Sequence, residues 1–145
     1  MPDVFEMLIK EHQKAKEMIA GLEDGEGSSR DGVFAQLKDA LDMHMRFEEV
    51  VVYPEMKKLE ELKDRVPEAV EEHAEGKALL RKLDTVDKGN EDWLATLEKL
   101  SAALEHHISE EEEEIFPTAR EQLGTEKSDE MADKYVEMKD KKKAA

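Results

Sequence analysis

A chain of 145 residues suits one hydrophobic core of four or five helices, and 38 acidic against 22 basic side chains give a formal charge of −16, which repels nucleic acid and anionic membranes and favours cations. Cysteine is absent, which excludes disulfides, thiolate metal sites and cysteine-held iron–sulfur clusters. With few aromatics, abundant Ala, Leu, Glu and Lys, no membrane-length apolar run and no signal-peptide pattern in MPDVFEMLIKEHQ, the expectation is a soluble, cytoplasmic, all-α protein.

Asp3 and Glu6 form a capping-box pattern, and Phe5, Leu8, Ile9, His12, Ile19 and Leu22 follow at helical spacing, predicting a first helix from about Val4 to Leu22. Gly21 to Gly32 carries four glycines and two serines and reads as a loop, with Ser29 or Asp31 as the next cap. In the second helix Phe34, Leu37, Leu41, His44, Glu48 and Val51 recur at steps of three and four. Pro54 lacks an N–H and clashes with the carbonyl four residues back, so a kink or pause is expected there. The third helix is expected to start at Pro67, with Val66, Val70, His73, Lys77, Leu80 and Asp84 facing inward. Asn90 then caps a fourth helix carrying Trp93, Leu97, Leu100, Leu104, His107, Glu111 and Ile115, with a second kink at Pro117. After the bundle, residues 1–123, a short amphipathic helix is expected from Ser128 to about Met138 within 124–145, ending in a frayed, solvated tail, KDKKKAA.

The second and fourth helices echo each other. HMRFEEVVVYP, residues 44–54, and HISEEEEEIFP, residues 107–117, each place a Glu four residues after a His, and a Pro ten after it behind an aromatic residue. Residues four apart lie one helical turn apart on one face, so each His/Glu pair points at one target. Imidazole and carboxylate both suit intermediate divalent metals, and two copies can hold two ions. The first and third helices add His12 and His73, at offsets 73−12 = 61 and 107−44 = 63. This predicts a pseudo-two-fold bundle with the site between its halves. A lone His on an apolar face is more often a hydrogen-bonded core residue. Here four of five histidines share the pattern, and two buried, unpartnered Glu would be costly without a metal.

His106 and Glu110 are also four apart, but Leu97, Leu100 and Leu104 lead to His107 and Glu111, so His106, Glu49 and Glu110 are read as rim or solvent residues. No Glu-x-x-His pair, His-Glu-x-x-His motif or phosphate-cradling glycine loop occurs, and no motif activates a Ser.

Taken together, His12, His44-x-x-x-Glu48-Glu49 with Tyr53-Pro54, His73, and His107-x-x-x-Glu111 with Phe116-Pro117 resemble the hemerythrin-like (HHE cation-binding) family over roughly residues 1–120. The resemblance implies an antiparallel up-and-down four-helix bundle holding two non-haem iron ions. His12 and His44 would serve one iron, His73 and His107 the other, and Glu48 and Glu111 would bridge them beside an oxo or hydroxo group. Hemerythrins proper carry a further His where this chain has Lys77. Two His per iron leave both metals with exchangeable positions unless a carboxylate or tyrosinate fills one, which turns the expectation from oxygen carriage towards peroxide, nitric oxide or redox chemistry.

Two classes of function follow. The first is binding of a diatomic ligand, dioxygen or nitric oxide, for sensing, storage or delivery. The second is a redox enzyme or repair factor that reduces peroxide or NO, or donates iron to iron–sulfur clusters; the lack of cysteine ranks it lower. A zinc ion that only staples the bundle is a third, structural reading. Lys77 either packs its stem beside the site with its ammonium turned outward, or donates a hydrogen bond to the bound ligand.

Overall fold

Helices form where the apolar stripe recurs at steps of three and four, and the connections fall at the glycine-bearing segments 25–29 and 86–90 and at the largely polar segment 57–64. The structure, a computed structural model describing residues 3–144, has α1 (Val4–Asp24), α2 (Arg30–Phe47), α3 (Tyr53–Met56), α4 (Arg65–Thr85), α5 (Glu91–Glu110) and α6 (Phe116–Ala144). The long helices α1, α2, α4 and α5 make an antiparallel up-and-down bundle in which α1 pairs with α2 and α4 with α5. Asp3 caps α1 by accepting from the Phe5 N–H at 2.9 Å, and Asn90 caps α5 by accepting from the Asp92 N–H at 2.8 Å. No helix among the described residues is long and apolar enough to cross a membrane.

At Pro54 and Pro117, where a kink or pause is expected, the regular α-helical hydrogen bonding is interrupted. Each is preceded by a π-helical turn, Glu48–Val52 and Glu111–Ile115. There the Tyr53 and Phe116 N–H groups bond to the carbonyls of Glu48 and Glu111, five residues back. The wider turn relieves the clash between the proline ring and the preceding carbonyl.

Helix α4 starts at Arg65 rather than Pro67, which is harmless because first-turn N–H groups have no helical partner. Its buried stripe is Val66, Ala69, His73, Gly76, Leu80 and Leu83. Val70, 38% exposed, and the exposed Asp84 lie outside that stripe, contrary to expectation. The small residues Ala69 and Gly76 gave the hydropathy pattern too little weight to set the register. The C-terminal segment also differs from expectation. Gly124 breaks α6 at φ 78°, a backbone conformation that glycine adopts at little cost. Beyond it Met131, Ala132 and Tyr135 are buried, and Lys142 donates to the Asp39 carbonyl at 2.9 Å, so the helix persists to Ala144. Ala145 lies outside the described residues.

Two apolar clusters fill the bundle. One, around Phe5, Leu8, Phe47, Tyr53 and Phe116, sits at the proline end. The other, around Ile19, Phe34, Leu80, Leu83, Trp93 and Leu97, sits at the loop end. Along each long helix the buried His falls between them.

At the loop end the buried Arg30 ties two connections together. Its Nε donates to the Leu22 carbonyl at 3.0 Å, its Nη1 to the Lys88 carbonyl at 2.6 Å, and its guanidinium lies 5.0 Å from the Trp93 ring centroid. Arg30→Met keeps the stem and loses both bonds. It is expected to lower unfolding free energy in urea by about 2–3 kcal/mol while leaving metal content unchanged.

Candidate metal centre

The four helices deliver one imidazole each, from His12 on α1, His44 on α2, His73 on α4 and His107 on α5, while Glu48 and Glu111 open the two π-helical turns. All six are buried. Their ligand atoms gather into two triads, His12 with His44 and Glu111, and His73 with His107 and Glu48; within each triad all lie within 4.8 Å of one another. Each triad thus takes both imidazoles from one half of the chain and its carboxylate from the other.

Donor atoms about 2.0–2.2 Å from an ion stand roughly 3.0–3.5 Å from one another. Here His12 Nε2 is 3.3 Å from Glu111 Oε1, and His73 Nε2 is 3.0 Å from Glu48 Oε1. The carboxylates also reach the opposite triads, with Glu48 Oε1 3.3 Å from His44 Nε2 and Glu111 Oε2 3.5 Å from His107 Nε2. Five buried atoms in this layer have no hydrogen-bond partner, namely Nε2 of His12, His44 and His107, Oε2 of Glu48 and Oε1 of Glu111. Each costs about 1–3 kcal/mol unpaired. A divalent cation in each triad would satisfy them, and the nitrogen and oxygen donor set suits iron, zinc or manganese.

Outside this layer runs a closed ring of carboxylates that sequence reading missed. Glu11 on α1 holds His44 Nδ1 at 2.8 Å, and Glu49 holds His73 Nδ1 at 2.7 Å. Glu72 on α4 holds His107 Nδ1, and Glu112 holds His12 Nδ1, both at 2.7 Å. An acceptor at Nδ1 fixes the ring's orientation and turns the Nε2 lone pair to the centre. Glu49, expected at the rim, is therefore a positioning residue. The signal was present in the repeat, since Glu precedes His at 11–12 and 72–73, and Glu follows Glu at 48–49 and 111–112. Helix α6 joins the ring through the Tyr135 hydroxyl, which donates to Glu11.

The repeat is broken at its aromatic position. Phe116 stacks on His12, with ring centroids 6.0 Å apart. Its counterpart Tyr53 stacks on His73 at 5.4 Å and donates its hydroxyl to Glu111 Oε2 at 2.8 Å, with Glu48 Oε1 and His73 Nε2 each 3.2 Å away. Burial, then the charges of Glu48 and Glu111, push the phenol pKa far up, so Tyr53 is a proton donor there and not a tyrosinate. Lys77 turns away from the triads; its ammonium lies 3.3 Å from Glu49 Oε2. Gly76 faces inward instead, onto a cavity of about 450 Å³ that reaches all four imidazoles between Leu41, Leu80 and Leu100. His106 is 67% exposed and lies outside both triads.

A sequence profile described as the hemerythrin HHE cation binding domain matches residues 3–119. The chain belongs to the hemerythrin HHE cation-binding family. An uncharacterized hemerythrin-like protein of Schizosaccharomyces pombe is 32% identical over 101 residues, 68% of this chain, and the match spans only half the length of that relative. The crystal structure of a hemerythrin HHE cation binding domain-containing protein from Mycobacterium kansasii superposes with a TM-score of 0.79 over 95% of this chain and 88% of that one, at 23% identity, a likeness of fold.

In this hemerythrin-like domain the metal-free layer is itself charged. Burial acts most strongly on His44 and disfavours its cation, but Glu48 and Glu11 together lift its pKa to about 10. Burial likewise opposes the His107 cation, yet the nearby carboxylates of Glu111 and Glu48 raise it to about 12. For Glu48 burial pushes upward, and His44, His107 and His73 overcome it and hold the carboxyl well below its usual range. Both imidazoles are therefore protonated near pH 7, and a metal must displace those protons. Loading the metal-free protein in weak buffer at pH 7 is expected to release about two protons per chain, measured with an indicator dye. The sign follows from the raised values. The imidazolium contribution to metal-free stability is complete below the unfolded pKa of about 6.5 and is lost as pH rises through about 10 to 12, while metal affinity grows with pH.

Proposed function

We propose that the domain holds a non-haem di-iron centre and binds a diatomic ligand, dioxygen or nitric oxide, for sensing, storage or delivery. The observation that carries this reading is the pairing of two His/His/Glu triads whose carboxylates each touch imidazoles of both halves, an arrangement suited to Glu48 and Glu111 bridging two ions beside an oxo or hydroxo group. Bound iron would supply exchangeable coordination positions and one-electron redox chemistry. The protein's part is to hold Nε2 of His12, His44, His73 and His107 on target, to keep apolar walls around the approach, and to offer the Tyr53 hydroxyl to Glu111. The cavity at Gly76 supports ligand entry from the side that Lys77 leaves open.

A second reading, a redox enzyme or repair factor acting on peroxide, NO or iron–sulfur clusters, is favoured by one feature. Tyr53 is a neutral proton donor buried beside both carboxylates, which suits reduction steps that consume protons.

Metal analysis with an optical spectrum tests the first reading. About two irons per chain and oxo-bridged ferric charge-transfer bands are expected; stoichiometric zinc without such bands would leave only the structural reading. His107→Ala is expected to lose metal, and His106→Ala to keep its iron. Gly76→Leu, at a position where an added Cβ meets nothing within 4 Å, fills the approach. It is expected to weaken azide binding to the ferric form about tenfold, or 1.4 kcal/mol, with iron content unchanged, whereas Lys77→Met leaves azide affinity as it was.

A further inference from the structure

The overlapping pair His106 and Glu110, set aside by the register of α5, lies outside the inner layer with a third donor from another helix. His106 Nε2 is 3.1 Å from Glu110 Oε1, one turn on, and 3.4 Å from Glu72 Oε2 on α4. The three ligand atoms lie within 4.8 Å of one another. These spacings are those of donors around a single first-row divalent ion. We propose that His106, Glu110 and Glu72 form an outer site for a borderline divalent cation such as zinc, separate from the inner triads but sharing Glu72 with them.

Two features prepare the three side chains for this. Glu72 is not free to swing, because its other oxygen, Oε1, accepts from His107 Nδ1 at 2.7 Å. That bond leaves Oε2 turned towards His106. Glu110 is steadied on its far oxygen by Arg65, whose Nη2 lies 4.0 Å from Oε2, and its Oε1 is turned to the imidazole. His106 is 67% exposed, so an ion reaches it from solvent and water completes the coordination. One imidazole nitrogen and two carboxylate oxygens with open positions suit zinc, cobalt or ferrous iron better than calcium, which takes oxygen donors only. The strong negative charge of the chain and the glutamate run at 110–114 concentrate cations at this surface.

The shared carboxylate gives the outer site a consequence for the inner one. A cation on Oε2 withdraws electron density from Glu72 and so weakens the hydrogen bond through which Oε1 orients His107. Occupancy of the surface site therefore alters the donor strength of one inner imidazole without any change in inner ligands.

The test uses the purified, metal-loaded protein, titrated with zinc, with zinc and the resident metal counted separately by elemental analysis. One additional zinc per chain is expected, with the resident metal retained and an anomalous difference peak at the zinc edge between His106, Glu110 and Glu72. Glu110→Gln is expected to weaken this zinc about tenfold, and His106→Ala to abolish it while keeping the resident metal. A shift in the optical bands of the resident metal on zinc addition, absent in His106→Ala, would report the link through Glu72. No additional zinc, an additional zinc that survives His106→Ala, a peak elsewhere, or loss of the resident metal on His106→Ala would each overturn the proposal. Loss of the resident metal on His106→Ala would also reopen the assignment of the inner ligands, whereas the other outcomes leave it untouched, because His107→Ala and the iron content decide independently whether the inner triads hold iron.

Discussion

Everything in this bundle answers to one costly layer. Four imidazoles and two carboxylates are buried at the middle of an otherwise apolar interior, where an isolated charge costs several kcal/mol even after relaxation. The layer is tolerable because its members face one another across the bundle axis, and because a cation can take the lone pairs that no hydrogen bond uses. It also fixes the axial alignment of the helices. Sliding one helix by a turn would leave its His among the leucines of one apolar cluster and put a leucine among the charges, so the polar layer supplies the positional specificity that interchangeable aliphatic contacts lack.

The layer is held from outside as well as from within. Each imidazole is oriented by a carboxylate from a neighbouring element, from α1 to α2, from the π-helical turn after α2 to α4, from α4 to α5 and from the π-helical turn after α5 back to α1. The π-helical turns place Glu48 and Glu111 at the centre and their neighbours Glu49 and Glu112 on this ring, so one local distortion serves both shells. The tyrosine and phenylalanine that exchange places between the halves then make two nearly equal sites chemically different. The tyrosine ring stacks on an imidazole of one triad and offers its hydroxyl to the carboxylates of both, whereas a bare ring stands on the other side.

The architecture was legible in the sequence because helical periodicity, the Asn90 and Asp3 caps and the His-x-x-x-Glu echo all report on local geometry. The six residues that the fold gathers into the inner layer stood out in the sequence because their spacing repeats and because His107, unlike His106, continues a leucine stripe. What escaped was whatever depended on contacts between helices. Glu11, Glu72 and Glu112 look like ordinary solvent-facing glutamates until α2, α5 and α1 are brought beside them. The outward turn of Lys77 depended on the register of α4, which Ala69 and Gly76 set without any hydropathic signature. The π-helical turns were invisible for a different reason. Proline announces a disturbance, but not the widened turn that precedes it, which sits among residues buried in one cluster with Phe47, Val52 and Ile115.

The exchange of carboxylates between the halves means that neither half of the chain contains a complete triad. The hairpin α1–α2 brings two imidazoles and a carboxylate, but that carboxylate closes the other hairpin's cluster, and the reverse holds for α4–α5. The protein is in this sense a dimer written on one strand. The link across residues 57–64, anchored by the buried Leu62, sets the local concentration of one half around the other, and an ion in either triad would be a rivet that could be driven only when both plates are in place.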